Sequence, residues 1–257
     1  MIKAIDKKRV AQAFLRGKDT YDSHARIQRL VSTRLVEKLH GYRQMSFGRV
    51  LEIGCCTGML TEMLLGSFPV ETLFLNDLVP DFFKDVVDRL GDHGGAELSP
   101  LFGDIETLDL PHSLDLVISS ATFQWLADLE RFFAKVAASL SESGYLVFSI
   151  FGPGTLSEFK QVSGIGLEYT AVGAILELLE THFQIEEEET RKDQLYFVTP
   201  RDVLRHMQAT GVGGVRRHRW TPGALRDFEN RYLEQFGTAA GIPVSYFSSC
   251  IIASRKK

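Results

Sequence analysis

Short runs of apolar residues alternate along the chain with longer stretches in which apolar residues recur every three or four positions. Apolar runs of about four to eight residues are typical of buried strands, and the longer spacing is typical of helices. The pattern predicts strands at residues 49–54, 71–77, 97–104, 114–120, 144–151, 183–191 and 243–254. Helices are predicted at residues 57–68, 80–90, 129–140 and 171–183, with two further helical patterns in 200–236.

Buried strands that alternate with helices indicate an α/β protein with a mostly parallel sheet covered on both faces. Right-handed crossovers then favour a doubly wound, Rossmann-like sheet of seven strands, whose last two strands form an antiparallel hairpin. We expect one domain over residues 1–257 with a core at 49–151. A helical segment at 1–40 precedes this core, and a helical insertion at 200–236 precedes the last strand.

Gly17 interrupts the first helical pattern, so a loop is predicted at Arg16–Asp19. Beyond it, Tyr21, His24 and Gln28 are spaced by three and four residues and therefore share one face of a helix. That face either covers a ligand as a lid or is simply a solvated polar face.

The composition is that of an ordinary globular protein, with 44% hydrophobic and 24% charged residues in 257. A net charge of −4 argues against a general nucleic-acid-binding protein. The charged amino terminus predicts no signal peptide, and no apolar run approaches the roughly 20 residues of a membrane span. The three cysteines include the adjacent Cys55 and Cys56, and their spacing matches no metal site. We therefore expect a cytoplasmic protein that binds neither metal, membrane nor nucleic acid.

The most informative segment is the end of the first strand, where Glu52 is followed by Gly54, Cys56 and Gly58 before a helix begins. Small residues allow the backbone to approach a ligand, and the first turn of a helix offers free N–H groups. The alternative is an ordinary corner between a strand and a helix.

Two aspartates end the next two strands. Asp77 stands where an acid binds ribose hydroxyls in nucleotide-binding sheets, and Asp104 could accept a hydrogen bond from an adenine amino group. Each aspartate alone is more often a turn or capping residue. Three features at three successive strand ends favour a site for a nucleotide-like ligand.

The glycine loop lacks the G-x-G-x-x-G spacing of dinucleotide sites and the G-x-x-x-x-G-K-S/T spacing of phosphate-binding loops. It resembles the first motif of class I S-adenosylmethionine-dependent methyltransferases, E/D-x-G-x-G-x-G, with Cys56 in place of the middle glycine. We expect Cys56 to be tolerated there and not to act as a nucleophile. The resemblance implies S-adenosylmethionine as cofactor and S-adenosylhomocysteine as its product.

Longer segments indicate one family within these methyltransferases. The chain resembles the malonyl-acyl-carrier-protein O-methyltransferase family of biotin synthesis at residues 21–35, 119–126, 148–159 and 197–214 and in the carboxyl-terminal segment. The family implies methyl transfer to the free carboxylate of a malonyl thioester, with acyl-carrier protein as the partner. Two alternatives stay open: a methyltransferase for small free carboxylic acids of the trans-aconitate type, and a non-catalytic methyltransferase-like scaffold.

The resemblance also implies site residues. It assigns to the cofactor Tyr21, Gln28, Glu52, Gly54, Cys56, Gly58, Asp77, Leu78, Asp104, Ile105 and Ser119. It assigns to the substrate His24, Gln124, Trp125, Phe151 and Thr155. A carboxylate is already ionised at neutral pH, so no catalytic base is expected and Tyr21, His24 and Gln124 would only position the reactants.

Basic residues concentrate in the predicted insertion. They are Arg201, Arg205, Arg216, Arg217 and Arg219, accompanied by a single acid, Asp202. We interpret this patch as a docking surface for the acidic carrier protein. A solvated helix face is the simpler alternative, and RNA is disfavoured because few aromatic residues are interleaved with the arginines.

Overall fold

The computed structural model describes residues 5–42, 46–91, 95–211 and 220–256. Its helices are α1 (Lys7–His24), α2 (Arg26–Leu39), α3 (Met59–Ser67), α4 (Phe82–Leu90), α5 (Leu129–Ser139), α6 (Ser157–Ser163), α7 (Val172–Leu179), α8 (Pro200–Ala209) and α9 (Pro222–Phe236). Its strands are β1 (Phe47–Ile53), β2 (Val70–Asp77), β3 (Glu97–Phe102), β4 (Leu114–Ser120), β5 (Leu140–Phe151), β6 (Phe183–Phe197) and β7 (Ile242–Arg255). None of the helices in these ranges is long and apolar enough to cross a membrane.

The strands form one seven-stranded sheet in the order β3-β2-β1-β4-β5-β7-β6. β1 pairs in parallel with β2 and β4, β2 pairs in parallel with β3, and β4 with β5. The strand order reverses between β1 and β4, the switch point at which ligands bind in doubly wound sheets. The α/β prediction is therefore confirmed, and the carboxyl ends of β1 to β5 lie along one edge.

The last two strands run antiparallel. Thr190 on β6 hydrogen-bonds Ser249 at 2.6 Å, and Gln194 donates to Ser245 at 3.0 Å. Residue numbers rise along β6 as they fall along β7, which is the register of an antiparallel pair. The hairpin prediction is confirmed, but β6 continues to Phe197, beyond the predicted end at residue 191. Along β6, exposed positions alternate with more buried ones, and many of the exposed side chains are charged. Charged side chains on an edge strand disfavour its pairing with another chain.

The chain divides into two compact units. The first, here called the helical unit, contains Met1–Arg26, Phe151–Tyr169 and Arg191–Ser248. The second, here called the sheet unit, contains Ile27–Ile150, Thr170–Thr190 and Ser249–Lys257. The helical insertion predicted before the last strand is present in the helical unit as α8 and α9.

The core of the sheet unit contains a cluster of phenylalanines in contact with one another. Phe123 lies 5.0 Å from Phe132 and 4.8 Å from Phe148 between ring centroids, and all three side chains are fully buried. Such aromatic pairs stabilise by about 0.5–1.5 kcal/mol beyond the area they bury. They anchor the turn that follows β4 and fix the carboxyl ends of β4 and β5.

The loop predicted at Arg16–Asp19 is wrong, because α1 continues through Gly17 to His24. Gly17 serves packing: a Cβ there would lie 2.8 Å from the carbonyl oxygen of Ala209 on α8. The break comes later, at Ala25, whose N–H caps α1 by donating to the carbonyl of Tyr21. The glycine therefore marks a close helix–helix contact and not a turn.

Candidate functional site

Left-handed backbone recurs at every second residue of the loop between β1 and α3. The φ angles are +75° at Gly54, +48° at Cys56 and +83° at Gly58. The N–H groups of Gly54 and Cys55 donate to the carbonyl of Asn76 on β2, at 2.8 and 3.0 Å. The loop is thus attached to the neighbouring strand, and its fold requires residues that tolerate a positive φ.

Cys56 adopts the conformation that the motif normally gives to glycine. Its N–H donates to a carboxylate oxygen of Asp77 at 2.9 Å, and the side chain is half-buried. A left-handed conformation costs an L-residue with a Cβ about 1–2 kcal/mol. The loop therefore keeps its geometry with cysteine at this position, at some cost in stability.

We expect Cys56→Gly to raise the free energy of unfolding by up to about 1 kcal/mol. Glycine relieves the backbone strain at this position, and this gain exceeds the extra conformational entropy that glycine gives the unfolded chain. Thermal unfolding and calorimetric titration with S-adenosylhomocysteine measure both effects. Cys55→Gly is the matched control: Cys55 is buried and has no positive φ, so glycine there should destabilise. A folded but inactive Cys56→Gly protein would show that the thiol takes part in the reaction.

Asp77, at the end of β2, organises the loop. One carboxylate oxygen accepts from the N–H of Cys56, and the other accepts from the N–H of Val79 at 2.9 Å. Burial raises the pKa of Asp77 to about 6, although the backbone N–H groups lower it. A carboxylate has about four acceptor positions, so the two backbone bonds leave capacity for ribose hydroxyls. The assignment to the ribose stays a prediction.

Glu52 is a buried carboxylate inside β1, only 1% exposed. Neither oxygen has a hydrogen-bond partner within the described residues. Burial raises the pKa of Glu52 to about 8; the nearby Thr61 hydroxyl lowers it and the charge of Asp77 raises it further. A buried acid without donors is costly, and a cationic or N–H-bearing ligand group would remove that cost.

Two amides assigned to the site share this property. Gln28 on α2 is 8% exposed, and its Oε1 atom has no partner within the described part of the chain. Gln124 donates through Nε2 to the carbonyl of Ala121, whereas its buried Oε1 is likewise unpaired there. The unsatisfied atoms of Glu52 and Gln28 are acceptors, which fits the ammonium-bearing methionine end of S-adenosylmethionine. Gln124 was assigned to the substrate, and that assignment stays a prediction.

The remaining cofactor positions lie beside these residues along the edge of the sheet. Asp104 is half-buried and accepts from the N–H of Glu106 at 3.1 Å, while Ile105 is 4% exposed and Leu78 is half-buried. Ser119 is fully buried on β4, and its hydroxyl donates to the carbonyl of Ile53 at 2.8 Å. That hydroxyl holds β4 to β1, so any contact of Ser119 with a cofactor would come from its backbone.

Hydroxyl groups attach α2 to the carboxyl ends of β4 and β5. Ser32 donates to Ser120 at 2.9 Å, and Ser120 lies 3.1 Å from the hydroxyl of Ser149. Ser149 in turn accepts from the N–H of Ala121, which has a positive φ of +51°. Because Ser32 lies one turn after Gln28, this chain of hydrogen bonds fixes the orientation of the helix that carries Gln28.

The other predicted substrate residues are mostly engaged in packing. Trp125 is 7% exposed in the turn after β4, and Phe151 is 6% exposed against Tyr246, with ring centroids 5.6 Å apart. Thr155 donates to the carbonyl of Phe247 at 3.1 Å and accepts from its N–H at 2.9 Å. These contacts give Phe151 and Thr155 a structural role in the helical unit, and their assignment to the substrate stays a prediction.

Tyr21 and His24 both lie on α1, in the helical unit. The ring of Tyr21 packs against Phe14 with centroids 6.1 Å apart, and His24 Nδ1 lies 2.9 Å from the carbonyl oxygen of Thr20. His24 keeps part of its ring exposed, so it is available to a ligand.

The arginine patch is only partly described. Arg201 pairs with Glu229 and Arg205 with Asp202, each at 2.7 Å. Both pairs are largely exposed, so each contributes at most about 1 kcal/mol. Arg216, Arg217 and Arg219 lie outside the described residues.

Sequence reasoning missed two residues that shape the site. Asn76 donates to the carbonyls of Leu101 and Gly103, at 2.7 and 3.1 Å, and so joins the ends of β2 and β3. Thr122 packs against Gly54 so closely that a Cβ on Gly54 would lie 2.3 Å from its Oγ1 atom. An amide inside an apolar strand is a signal that could have identified Asn76; the role of Thr122 depends on a contact across the sheet.

No group of three or more His, Cys, Asp or Glu side chains within the described ranges could hold a metal ion.

Residues 51–148, which contain the glycine loop and the strand ends described above, match the sequence model of a family described as a methyltransferase domain.

Similar proteins extend the match to almost the whole chain. The chain is 38% identical over 247 residues to a malonyl-acyl-carrier-protein O-methyltransferase of Chlorobium phaeovibrioides, with 94% of each protein covered. It is 37% identical over 239 residues to a protein of the same name from Calditerrivibrio nitroreducens, with 92% of each covered. The solved structure of the N-methyltransferase NodS from Bradyrhizobium japonicum, in complex with S-adenosylhomocysteine, has a TM-score of 0.56 at 15% identity, with 93% of this chain and 99% of that chain covered.

The structural likeness at 15% identity shows the shared fold. The sequence likeness, which runs from the amino-terminal helices to the last strand, goes further: the chain belongs to the malonyl-acyl-carrier-protein O-methyltransferase family.

Proposed function

We propose that this protein transfers a methyl group from S-adenosylmethionine to the free carboxylate of a malonyl thioester carried by acyl-carrier protein. The observation that carries this proposal is the near-full-length identity to relatives of that name, 38% over 94% of the chain. As the resemblance of the sequence implies, the resulting ester would mask a charge so that fatty-acid elongation accepts the chain in biotin synthesis. Three free cysteines support a cytoplasmic location.

When bound, S-adenosylmethionine supplies an electrophilic methyl group on a sulfonium centre. The buried acceptors of Glu52 and Gln28 would hold the methionine end, Asp77 and Asp104 would hold the ribose and the adenine, and Gln124 would lie toward the substrate. The reaction needs no general base from the protein, because the carboxylate that receives the methyl group is already ionised at neutral pH. Their contribution is to orient the reactants and to exclude water, which is sufficient for a transfer in which opposite charges are neutralised.

The scaffold alternative rested on Cys56 in place of a glycine. Since Cys56 adopts a left-handed conformation with φ +48° and donates to Asp77, the loop is shaped as a glycine would shape it. This geometry favours a functional cofactor loop.

The test is mass spectrometry of malonyl-acyl-carrier protein after incubation with the protein and S-adenosylmethionine. We expect a gain of one methylene on the malonyl group. Unmodified acyl-carrier protein is the control for methylation elsewhere, and free malonate and trans-aconitate test the small-acid alternative. Methylation of the free acids in preference to the thioester would contradict the proposal.

Carrier-protein docking by the arginine patch is part of the proposal. Arg201 and Arg205 already have carboxylate partners, so we expect the larger contribution from Arg216, Arg217 and Arg219. Charges at the rim of an interface act mainly on the encounter rate and are screened by salt. Changing these three arginines to glutamate should raise KM for malonyl-acyl-carrier protein, most strongly at low ionic strength, and leave KM for malonyl-coenzyme A nearly unchanged. An equal rise of both KM values would assign the patch to the pocket or to the fold.

A further inference from the structure

A lysine of α5 holds the segment that follows β3, residues 103–113, here called the β3 loop. Nζ of Lys135 donates to the carbonyl of Ile105 at 2.9 Å and to that of Glu106 at 3.4 Å. It also donates to the carbonyl of Leu108. The β3 loop forms neither helix nor strand, so its carbonyls need partners from elsewhere. An ammonium group has three donors, and here all three are directed to the backbone of one loop.

A carboxylate of the β3 loop makes a second attachment to α5. Glu106 accepts from the N–H of Ala127 at 3.0 Å and from the N–H of Asp128 at 2.9 Å, directly before the helix begins. A negative charge is favourable there, because the N–H groups at the amino end of a helix have no partner inside the helix. The β3 loop is therefore bound to α5 at two places, at the start of the helix and in its middle.

The core of the sheet unit fixes the position of α5. Phe132 and Phe133 are 1% and 0% exposed, and their ring centroids lie 5.0 and 6.3 Å from that of Phe123. Side chains in a close-packed interior hold the elements that carry them in one arrangement. An irregular loop is thus attached to a helix whose place the core determines, and the loop and the helix both belong to the sheet unit.

The attached segment orients the carboxylate of Asp104. The N–H of Glu106 donates to Oδ1 of Asp104 at 3.1 Å, and the N–H of Thr107 donates to the carbonyl of Asp104 at 2.9 Å. Glu106 therefore binds the start of α5 through its side chain and Asp104 through its backbone. The direction of the Asp104 carboxylate depends on the segment that α5 holds in place.

We propose that Lys135 and Glu106 are positioning residues for adenine recognition, which hold the β3 loop in the conformation that lets Asp104 accept from the adenine amino group. This inference rests on the proposed function, in which Asp104 holds the adenine. A loop that is already in its binding conformation loses less conformational entropy when the ligand binds. If that conformation becomes rarer, the apparent Kd of a ligand that requires it rises in proportion.

Lys135→Met keeps the length of the side chain and removes its three donors. We expect the Kd of S-adenosylhomocysteine to rise about tenfold, as when the binding conformation falls to about one tenth of the population. KM for S-adenosylmethionine should rise by a similar factor. The value of kcat should stay nearly unchanged, because Glu52 and Gln28, which would hold the methionine end, lie on other elements.

Two further variants show whether the donors themselves matter. Lys135→Arg keeps a positively charged donor group and should recover most of the lost affinity. Lys84→Met is the matched control, because Lys84 is an exposed lysine of α4 that pairs with Asp88 one turn later. Its Kd for S-adenosylhomocysteine should equal that of the parent protein.

A ligand without the adenine amino group separates positioning from a general effect on the fold. S-inosylhomocysteine has a carbonyl oxygen in place of that amino group, so it cannot donate to Asp104 from this position. The parent should bind it about tenfold more weakly than S-adenosylhomocysteine, and Lys135→Met should bind it with little change. The ratio of the two Kd values, measured by calorimetric titration, should therefore fall in the variant. Partial unfolding would weaken both ligands alike and preserve the ratio.

Glu106→Gln tests the second attachment and leaves the lysine in place. Glutamine keeps one acceptor but removes the charge at the start of α5, so we expect the same fall in the Kd ratio, smaller than in Lys135→Met. Glu130→Gln, which removes an exposed acid from the first turn of α5, is the matched control and should not change the ratio. Thermal unfolding gives the folded fraction of each variant at the temperature of the titration.

An unchanged Kd ratio in folded Lys135→Met and Glu106→Gln proteins would overturn the proposal. A parent protein that binds the two ligands equally would also overturn it, because Asp104 would then not read the amino group. If the parent distinguishes the ligands, the variants lose the distinction and no methyl group reaches the malonyl thioester, the proposed function fails and the positioning role stands.

Discussion

Replacing Gly54 with alanine should destabilise the protein by about 3 kcal/mol and abolish measurable binding of S-adenosylhomocysteine. The φ of +75° strains any residue with a Cβ. The added Cβ would also lie 2.3 Å from Oγ1 and 2.8 Å from Cγ2 of Thr122, so either β1 or the turn after β4 must move. Urea unfolding gives the change in the free energy of unfolding, and calorimetry gives the loss of binding.

Gly66, in α3 directly after the loop, provides the matched control. A Cβ there meets nothing within 4 Å, and its φ is not positive. Alanine should therefore stabilise the protein by up to about 1 kcal/mol through its higher helix propensity, with unchanged binding. A Gly54→Ala protein that matched the parent in both stability and affinity would contradict the close packing of the loop against Thr122.

Replacing Glu52 with glutamine should stabilise the unliganded protein at neutral pH and weaken cofactor binding. The pKa of Glu52 is about 8 in the folded protein against an ordinary value of 4.5. Between these values the folded state keeps a proton that the unfolded state releases, so the stability of the parent falls as pH rises from about 4.5 to 8. At about 1.36 kcal/mol per pKa unit, this cost reaches roughly 3 kcal/mol at pH 7.

Glutamine does not titrate, so the advantage of Glu52→Gln should vanish below about pH 4.5 and grow up to about pH 8. Thermal unfolding across this range measures it, with Glu97→Gln, an exposed acid on β3, as the control that should show no such change. The affinity of the parent for S-adenosylhomocysteine should rise between pH 6 and 8 as Glu52 ionises, and the variant should show no rise. Equal stability profiles for Glu52→Gln and the parent would mean that Glu52 ionises freely in the fold.

Local pattern was sufficient to predict the sheet and the position of the cofactor loop. The apolar runs at 49–54 and 71–77 are strands, and Glu52, Gly54 and Asp77 lie at their ends as predicted. Burial on both faces makes such strands continuously apolar, and this signal needs no knowledge of distant residues. The carboxyl edge of a parallel sheet then brings these residues together.

Gly17 shows where local pattern was insufficient. A glycine in a helical pattern predicts a turn or a close contact equally well, and only the position of Ala209 on α8 distinguishes them. The length of β6 was also missed: the four polar residues at 191–194 interrupt any apolar pattern, and the strand continues through them because it pairs with β7.

The sequence by itself determined the α/β class, the strands and the acidic and small residues that mark the cofactor loop, because these depend on neighbours along the chain. Only the tertiary structure shows that Cys56 is left-handed and that the buried Glu52 carboxylate has no hydrogen-bond partner among the described residues. Backbone strain, desolvation and interactions between charges depend on groups far apart in the chain. They arise only when the fold brings those groups together.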